Sequence, residues 1–138
     1  MLGEYQHSID AKGRLFIPAR LREVLGEVFY VTVSGDRCLT VYSETSFSVI
    51  REKYENLPQK LARPLDVIFT TATRCEPDAQ GRILLSQKQR AFANLQKDVA
   101  IVGLSNRAQI WDASTWAQRE SAYFTPESIE AAMEQAGF

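Results

Sequence analysis

The chain has 138 residues, of which 45% are hydrophobic and 24% charged. These values suit one folded domain, or two small halves on a shared core, and exclude a disordered or collagen-like chain. Sixteen Lys and Arg stand against 17 Asp and Glu, which excludes a globally basic nucleic-acid binder but leaves room for local basic patches.

Residues 5–9 and 14–17 read as short strands around Asp10-Ala11-Lys12-Gly13. An opening Asp and a closing Gly predict a type I turn at the tip of a β-hairpin. Pro18 predicts the first turn of a short helix, with Leu21, Val24 and Leu25 on one buried face and Gly26 as its stop. Residues 29–33 and 38–42 are β-branched and aromatic runs around Ser34-Gly35-Asp36-Arg37, a second hairpin. Ser43 is placed to cap a longer helix whose inner face carries Phe47, Ile50, Tyr54 and Leu57. Residues 58–64 read as a linker, and residues 65–71 fit helix or strand equally. Further on, Ser86 caps a short helix, residues 98–103 and 108–112 are strands, and residues 114–122 are helical. Pro126 opens an acidic tail helix to Ala136.

The second half repeats the first. Asp10-Ala11-Lys12-Gly13-Arg14-Leu15 recurs as Asp78-Ala79-Gln80-Gly81-Arg82-Ile83, at a constant offset of 68 that holds from Arg22 to Arg90. After a one-residue slip, Val41-Tyr42-Ser43 aligns with Ile110-Trp111-Asp112 and Phe47 with Trp116. Two copies of one supersecondary unit are the economical reading. The predicted organisation is a first unit at 1–57, a linker at 58–72, a second unit at 73–116 and a helical tail at 117–138, with the units sharing one core. The fold class is α+β, mainly β.

Little in the sequence suits catalysis. His7 is the only histidine, so no Ser/His/Asp or Cys/His set can occur twice. Each repeated Asp lies four residues from an Arg, which keeps it ionised and unsuited to shuttling protons. There is no phosphate-binding loop of either common type. Cys38 and Cys75 stand alone, without the spacing of a zinc site, and read as reduced buried hydrophobes. No enzyme, metal, cofactor or small-molecule substrate is expected. No apolar run approaches the ~20 residues of a membrane helix. The opening residues lack the features of a secretory signal, so the expected location is the cytoplasm.

Binding is the better use of the repeat. Lys12, Arg14, Arg20 and Arg22 cluster against Asp10, and Arg74, Arg82, Lys88 and Arg90 against Glu76 and Asp78. Residues 119–138 hold Arg119 against four Glu. The near-zero total thus conceals two basic turns and an acidic tail. Tandem basic hairpins suit double-stranded DNA, since a β-ribbon enters the major groove. Asp at the start of the turn can orient the following Arg and leave donors free for phosphate or guanine. An Asp-x-x-Gly turn is ordinary on its own, but a turn does not require Arg in both copies. Tyr42, Trp111, Phe47 and Trp116 read as core rather than as a stacking platform.

Gly3-Glu4-Tyr5-Gln6-His7-Ser8-Ile9-Asp10-Ala11-Lys12-Gly13-Arg14 with Ile17-Pro18-Ala19 closely resembles the opening of the MraZ family. So do Ala72-Thr73-Arg74-Cys75-Glu76 leading to the second turn, and Val102-Gly103-Leu104-Ser105-Asn106-Arg107 before Ile110-Trp111. The resemblance implies a pseudo-twofold swapped-hairpin β-barrel of the AbrB-like type, built from two internal repeats with flanking helices. It implies a nucleoid-associated transcriptional regulator, usually a repressor, at the promoter of the division and cell-wall gene cluster. It further implies a homo-oligomeric ring whose D-x-x-x-R turns face short direct repeats in DNA. Carried onto this sequence, DNA contact falls to Asp10, Lys12, Arg14, Asp78 and Arg82, with Gly13 and Gly81 forming the turns. Arg20, Arg22 and Arg74 are secondary candidates. Pro77 and Gln80 depart from the first copy and rank the second turn below it for phosphate affinity. Two other classes stay open: an antitoxin-like module using the acidic tail, and a ring protein with decorative turns.

Overall fold

The computed structural model describes residues 1–138. In chain order, β1 (Leu2–Ser8) and β2 (Arg14–Phe16) precede helix α1 (Ala19–Leu25). Strands β3 (Phe29–Val33) and β4 (Leu39–Ser43) then lead into α2 (Glu44–Glu55), α3 (Gln59–Ala62), a 3-10 turn (Arg63–Leu65) and α4 (Asp66–Thr70). The second half runs β5 (Thr73–Cys75), β6 (Arg82–Leu84), α5 (Gln87–Phe92), β7 (Asp98–Leu104), β8 (Ala108–Asp112), α6 (Ala113–Tyr123) and α7 (Pro126–Gln135).

The strands form a six-stranded antiparallel sheet, ordered β1-β7-β8-β4-β3-β5, and a two-stranded ribbon of β2 and β6. This topology exchanges strands between the repeats. β1 of the first unit pairs with β7 of the second, from Leu2↔Leu104 to Ser8↔Asp98. Reciprocally, β5 of the second unit pairs with β3 of the first, from Phe29↔Cys75 to Val31↔Thr73. The fold is α+β around a sheet core, as expected, and two repeats with swapped strands build it.

The swap corrects one local expectation. Residues 5–9 and 14–17 do bracket a turn, but β1 and β2 do not form a hairpin ladder with each other; each pairs with the opposite unit. Local sequence specifies a strand's alternation and not its neighbour. The second hairpin is as expected, with β3 and β4 paired from Phe29↔Ser43 to Val33↔Leu39.

Helix ends follow their predicted chemistry. Ser43 Oγ accepts from Ser46 N at 3.2 Å, and Ser86 Oγ from Gln89 N at 3.1 Å. Gly26 ends α1 by donating its N–H to the Arg22 carbonyl at 2.8 Å. Pro18 is the N-cap of α1 rather than its first helical residue. The predicted α1 face is narrower than the spacing suggests: Leu21 and Leu25 are buried, while Val24 is 55% exposed. Seven residues make two turns, and only the i, i+4 pair points at the sheet. The predicted linker, residues 58–64, is helical over most of its length, and residues 65–71 resolve as helix α4 within them. There, Tyr54 of α2 stacks on Phe69 at 4.0 Å and donates its hydroxyl to Asp66.

One core spans both repeats. Leu15, Ile17, Phe29, Val31, Leu39, Val99, Ile101 and Ile110 are fully buried together. A smaller cluster gathers Cys38, Ala100, Val102 and Trp111. Burial of Trp111 and Phe47 agrees with their reading as core, while Tyr42 and Trp116 are only half-buried. Both cysteines are buried and free. No helix is long and apolar enough to cross a membrane.

Candidate nucleic-acid interface

The two repeated motifs fold into matching turns. In the first, Gly13 N donates to Asp10 O, closing the reverse turn, and Asp10 N donates to Arg14 O, both at 3.0 Å. Asp10 Oδ1 accepts from the backbone N–H groups of Lys12 and Arg14, each at 2.9 Å. The other oxygen, Oδ2, accepts from Arg14 Nε at 2.7 Å. The second turn repeats each bond: Asp78 Oδ1 accepts from Gln80 N and Arg82 N at 2.9 Å, and Oδ2 from Arg82 Nε at 3.0 Å. Gly13 and Gly81 hold φ of +85° and +80°, which other residues adopt only with strain.

The carboxylates are therefore structural. Backbone N–H donation from Arg14 and from Arg82 holds the Asp10 and Asp78 carboxyls below the usual aspartate range, and the guanidinium of each arginine adds to this. Each aspartate engages only the Nε edge of its arginine. Both Nη groups of Arg14 are left without a protein hydrogen-bond partner. A fixed guanidinium with a free outer edge is suited to bidentate binding of phosphate or guanine.

The ribbon brings the motifs together. Leu15 faces Ile83 in the ladder, and both are buried. Alternation then places Arg14, Phe16, Arg82 and Leu84 on the opposite, outward face. Arg14 pairs directly with Leu84, and Phe16 with Arg82. The side chains of Arg14 and Arg82 are 34% and 30% exposed, and Leu84 is 60% exposed. Arg14, Arg74 and Arg82 line one shallow groove of about 450 Å³, with Glu76 and Asp78 as its acidic members. Lys12 and Gln80 are exposed at the two turn tips. A ribbon two strands wide with two oriented arginines has the dimensions of a major-groove reader.

The other candidates separate. Arg74 lies on β5 and donates to Glu76 Oε1 at 2.8 Å, a partner that neutralises it. Arg20 is exposed on α1 and lines a hollow with Met1, Leu2 and Tyr5. Arg22 turns inward: its Nε donates to Ile17 O at 2.8 Å, and its guanidinium lies over the Phe16 ring at 5.7 Å. A larger cleft of about 860 Å³ adjoins the second turn. Glu23, Glu27, Glu76 and Asp78 line it against Arg22 alone, a net negative lining that disfavours a phosphate. Sequence reasoning missed the outward apolar pair Phe16 and Leu84; their alternation with Leu15 and Ile83 was the available signal.

Pro77 takes effect at the sheet. Ile9, its counterpart, donates its N–H to Lys97 O at 2.8 Å, a cross-unit bond that proline cannot make. The second turn keeps its own closure, with Asp78 N donating to Arg82 O at 2.9 Å.

Paired D-x-x-x-R turns with oriented outward arginines, on a strand-swapped duplicated scaffold, define a class of two-repeat protein. The family model of the MraZ protein, described as antitoxin-like, matches twice, over residues 1–67 and 68–136. The chain belongs to the MraZ family. A transcriptional regulator MraZ of Symbiobacterium thermophilum is 49% identical over 85% of this chain and 87% of its own. Another, of Desulfitobacterium hafniense, is 48% identical over 88% and 90%. A third, of Caldicellulosiruptor saccharolyticus, is 44% identical over 99% of both chains.

Proposed function

We propose that this chain is a sequence-specific transcriptional regulator of double-stranded DNA, and not an enzyme. It represses the division and cell-wall gene cluster through its own promoter, as a homo-oligomeric ring on short direct repeats, in the cytoplasm at the nucleoid. Units 1–57 and 73–116 share one core, 58–72 joins them, and 117–138 is a tail. The observation that carries this reading is the outward ribbon face, where Asp10 and Asp78 fix Arg14 and Arg82 by Nε. Asp10 and Asp78 orient, Arg14 and Arg82 contact bases or phosphates, and Lys12 adds phosphate attraction.

Magnitudes favour an oligomer. A chain offering two to four phosphate contacts gains a salt slope of only about −0.9 for each. Several chains on spaced repeats gain roughly 10²–10⁴ by effective concentration. One well-formed Arg–guanine pair adds about 1–3 kcal/mol of discrimination.

A fluorescence-anisotropy titration tests the reading. A duplex from the region upstream of the gene is compared with a scrambled duplex at two salt concentrations. Tighter, salt-sensitive binding to the upstream duplex is expected. Equal binding to both would reduce the protein to a nonspecific binder, and no binding at low salt would overturn the reading. A second reading, a toxin-binding module, draws on the apolar side of α7, where Ile129 and Met133 are about half exposed. A toxin gene beside this one would favour it.

A further inference from the structure

Arg22 and Arg90 occupy the same place in the two repeats, at the offset of 68. A Cβ built on Gly81 would lie 3.1 Å from Cζ and Nη2 of Arg22. A Cβ built on Gly13 would lie 3.2 Å from Cζ and Nη2 of Arg90. Each guanidinium therefore packs against the bare Cα of the other repeat's turn. A side chain at either glycine would push it back by a few tenths of an ångström.

The ribbon reinforces the crossing. Ile17 N donates to Gly81 O at 2.9 Å, and Leu85 N to Gly13 O at 3.0 Å, so each turn glycine is also bonded by the opposite unit. The seats are unequal. Arg22 is fixed by its Nε bond to Ile17 O and by the Phe16 ring, whose Cε1 also abuts Gly81. In the second repeat Leu84 replaces Phe16, and the buried Arg90 Nε has no hydrogen-bond partner.

We propose that Arg22 and Arg90 are crossed positioning residues: the helix of each repeat supplies the guanidinium on which the D-x-x-x-R turn of the other repeat is seated. The geometry of each DNA-reading turn is then set by the half of the chain that does not contain it. This rests on the DNA-reading assignment above. It also explains why Arg recurs at this position where the turn itself requires only Asp and Gly. A lysine cannot substitute, because a compact ammonium lacks the flat face that lies against the glycine.

Two measurements on the full-length protein test the crossing. In hydrogen–deuterium exchange, Arg22→Lys should accelerate exchange in residues 78–85 more than in 10–17, and Arg90→Lys the reverse. The opposite pattern, or no local change, overturns the proposal. In DNA titrations, Arg22→Lys should weaken binding to the upstream duplex about 3–10-fold without changing the salt slope. Its effect should largely vanish in an Arg82→Ala background and persist in an Arg14→Ala background, as coupled and independent sites behave. Arg90→Lys should couple to Arg14 instead. Retained binding by Arg22→Lys would show that only the positive charge matters, and a salt slope reduced by about one phosphate in Arg22→Gln would mark a direct charge contact; either overturns the positioning role. Loss of binding in Arg14→Ala and Arg82→Ala without crossed coupling overturns this inference alone. Unchanged binding in both overturns the DNA-reading assignment and this inference with it.

Discussion

Arg82 reaches across the boundary between the repeats to Asp10. Its Nη1 lies 4.0 Å from Asp10 Oδ2, the same oxygen that accepts from Arg14 Nε at 2.7 Å. Asp78 has no second guanidinium and faces Arg82 alone, at 3.0 Å. The two turns are therefore electrostatically unequal, and Asp10 is the point at which they meet.

This inequality predicts a ranking. Asp10→Asn keeps an oxygen for the Lys12 and Arg14 backbone N–H groups but removes the charge that aligns Arg14 and Arg82. Its loss of DNA affinity should exceed that of Asp78→Asn, and both variants should melt somewhat lower, since the neutral amide loses the stabilisation that the ionised carboxylate supplies. Asp10→Ala should lose affinity and turn order together. Anisotropy and melting curves on the three variants check this; equal losses at the two sites would refute the ranking.

The turn carboxylates also set a pH dependence. Both titrate below the ordinary 3.8 of aspartate, mainly through the backbone N–H groups of Arg14 and Arg82. A lowered native value stabilises the fold above the unfolded value and loses that contribution as pH falls through the native one. Turn order should thus persist through pH 3.8 and fail below it. In an NMR carboxyl titration, Arg14→Ala should raise the Asp10 midpoint only partway, since the backbone donor of residue 14 remains.

The glycines predict an asymmetry in stability. Gly13→Ala and Gly81→Ala both force a side chain into positive φ, a strain of about 1–3 kcal/mol. At Gly81 the added Cβ would also meet Phe16 Cε1 at 2.9 Å, a contact absent at Gly13. Urea unfolding should find Gly81→Ala the less stable of the two.

The thiols should be inert. Burial pushes Cys75 up to about 11 and raises Cys38 above its ordinary 9.0. At pH 8 a soluble disulfide reagent should label neither quickly in the folded protein, and both quickly in denaturant. Rapid labelling of the native protein would contradict this burial.

Much of this was legible in sequence, because caps and turns are local chemistry. Ser43, Ser86, Gly13, Gly26 and Gly81 each declare their role within four residues. The exchange of β1 and β5 between repeats was not legible from strand patterns, since alternation at Tyr5 and His7 is the same for any partner strand. Only the resemblance anticipated it. Helix α4 resisted reading because β-branched Val67, Ile68 and Thr70 favour strands, while Phe69 finds its burial against Tyr54 and Phe47. The role of Arg90 had a visible signal, its alignment with Arg22, but not a visible contact. That contact forms only when the other repeat's turn glycine is brought beneath it.

The central claim is that the outward arginines of the ribbon read DNA. The most direct test is the affinity of the Arg14→Ala/Arg82→Ala double variant for the upstream duplex, beside the wild-type protein. Its oligomeric state and melting temperature are measured in the same preparation. The account predicts binding reduced to the level of a scrambled duplex, with assembly and melting temperature preserved. Wild-type affinity from an intact, folded double variant would contradict it.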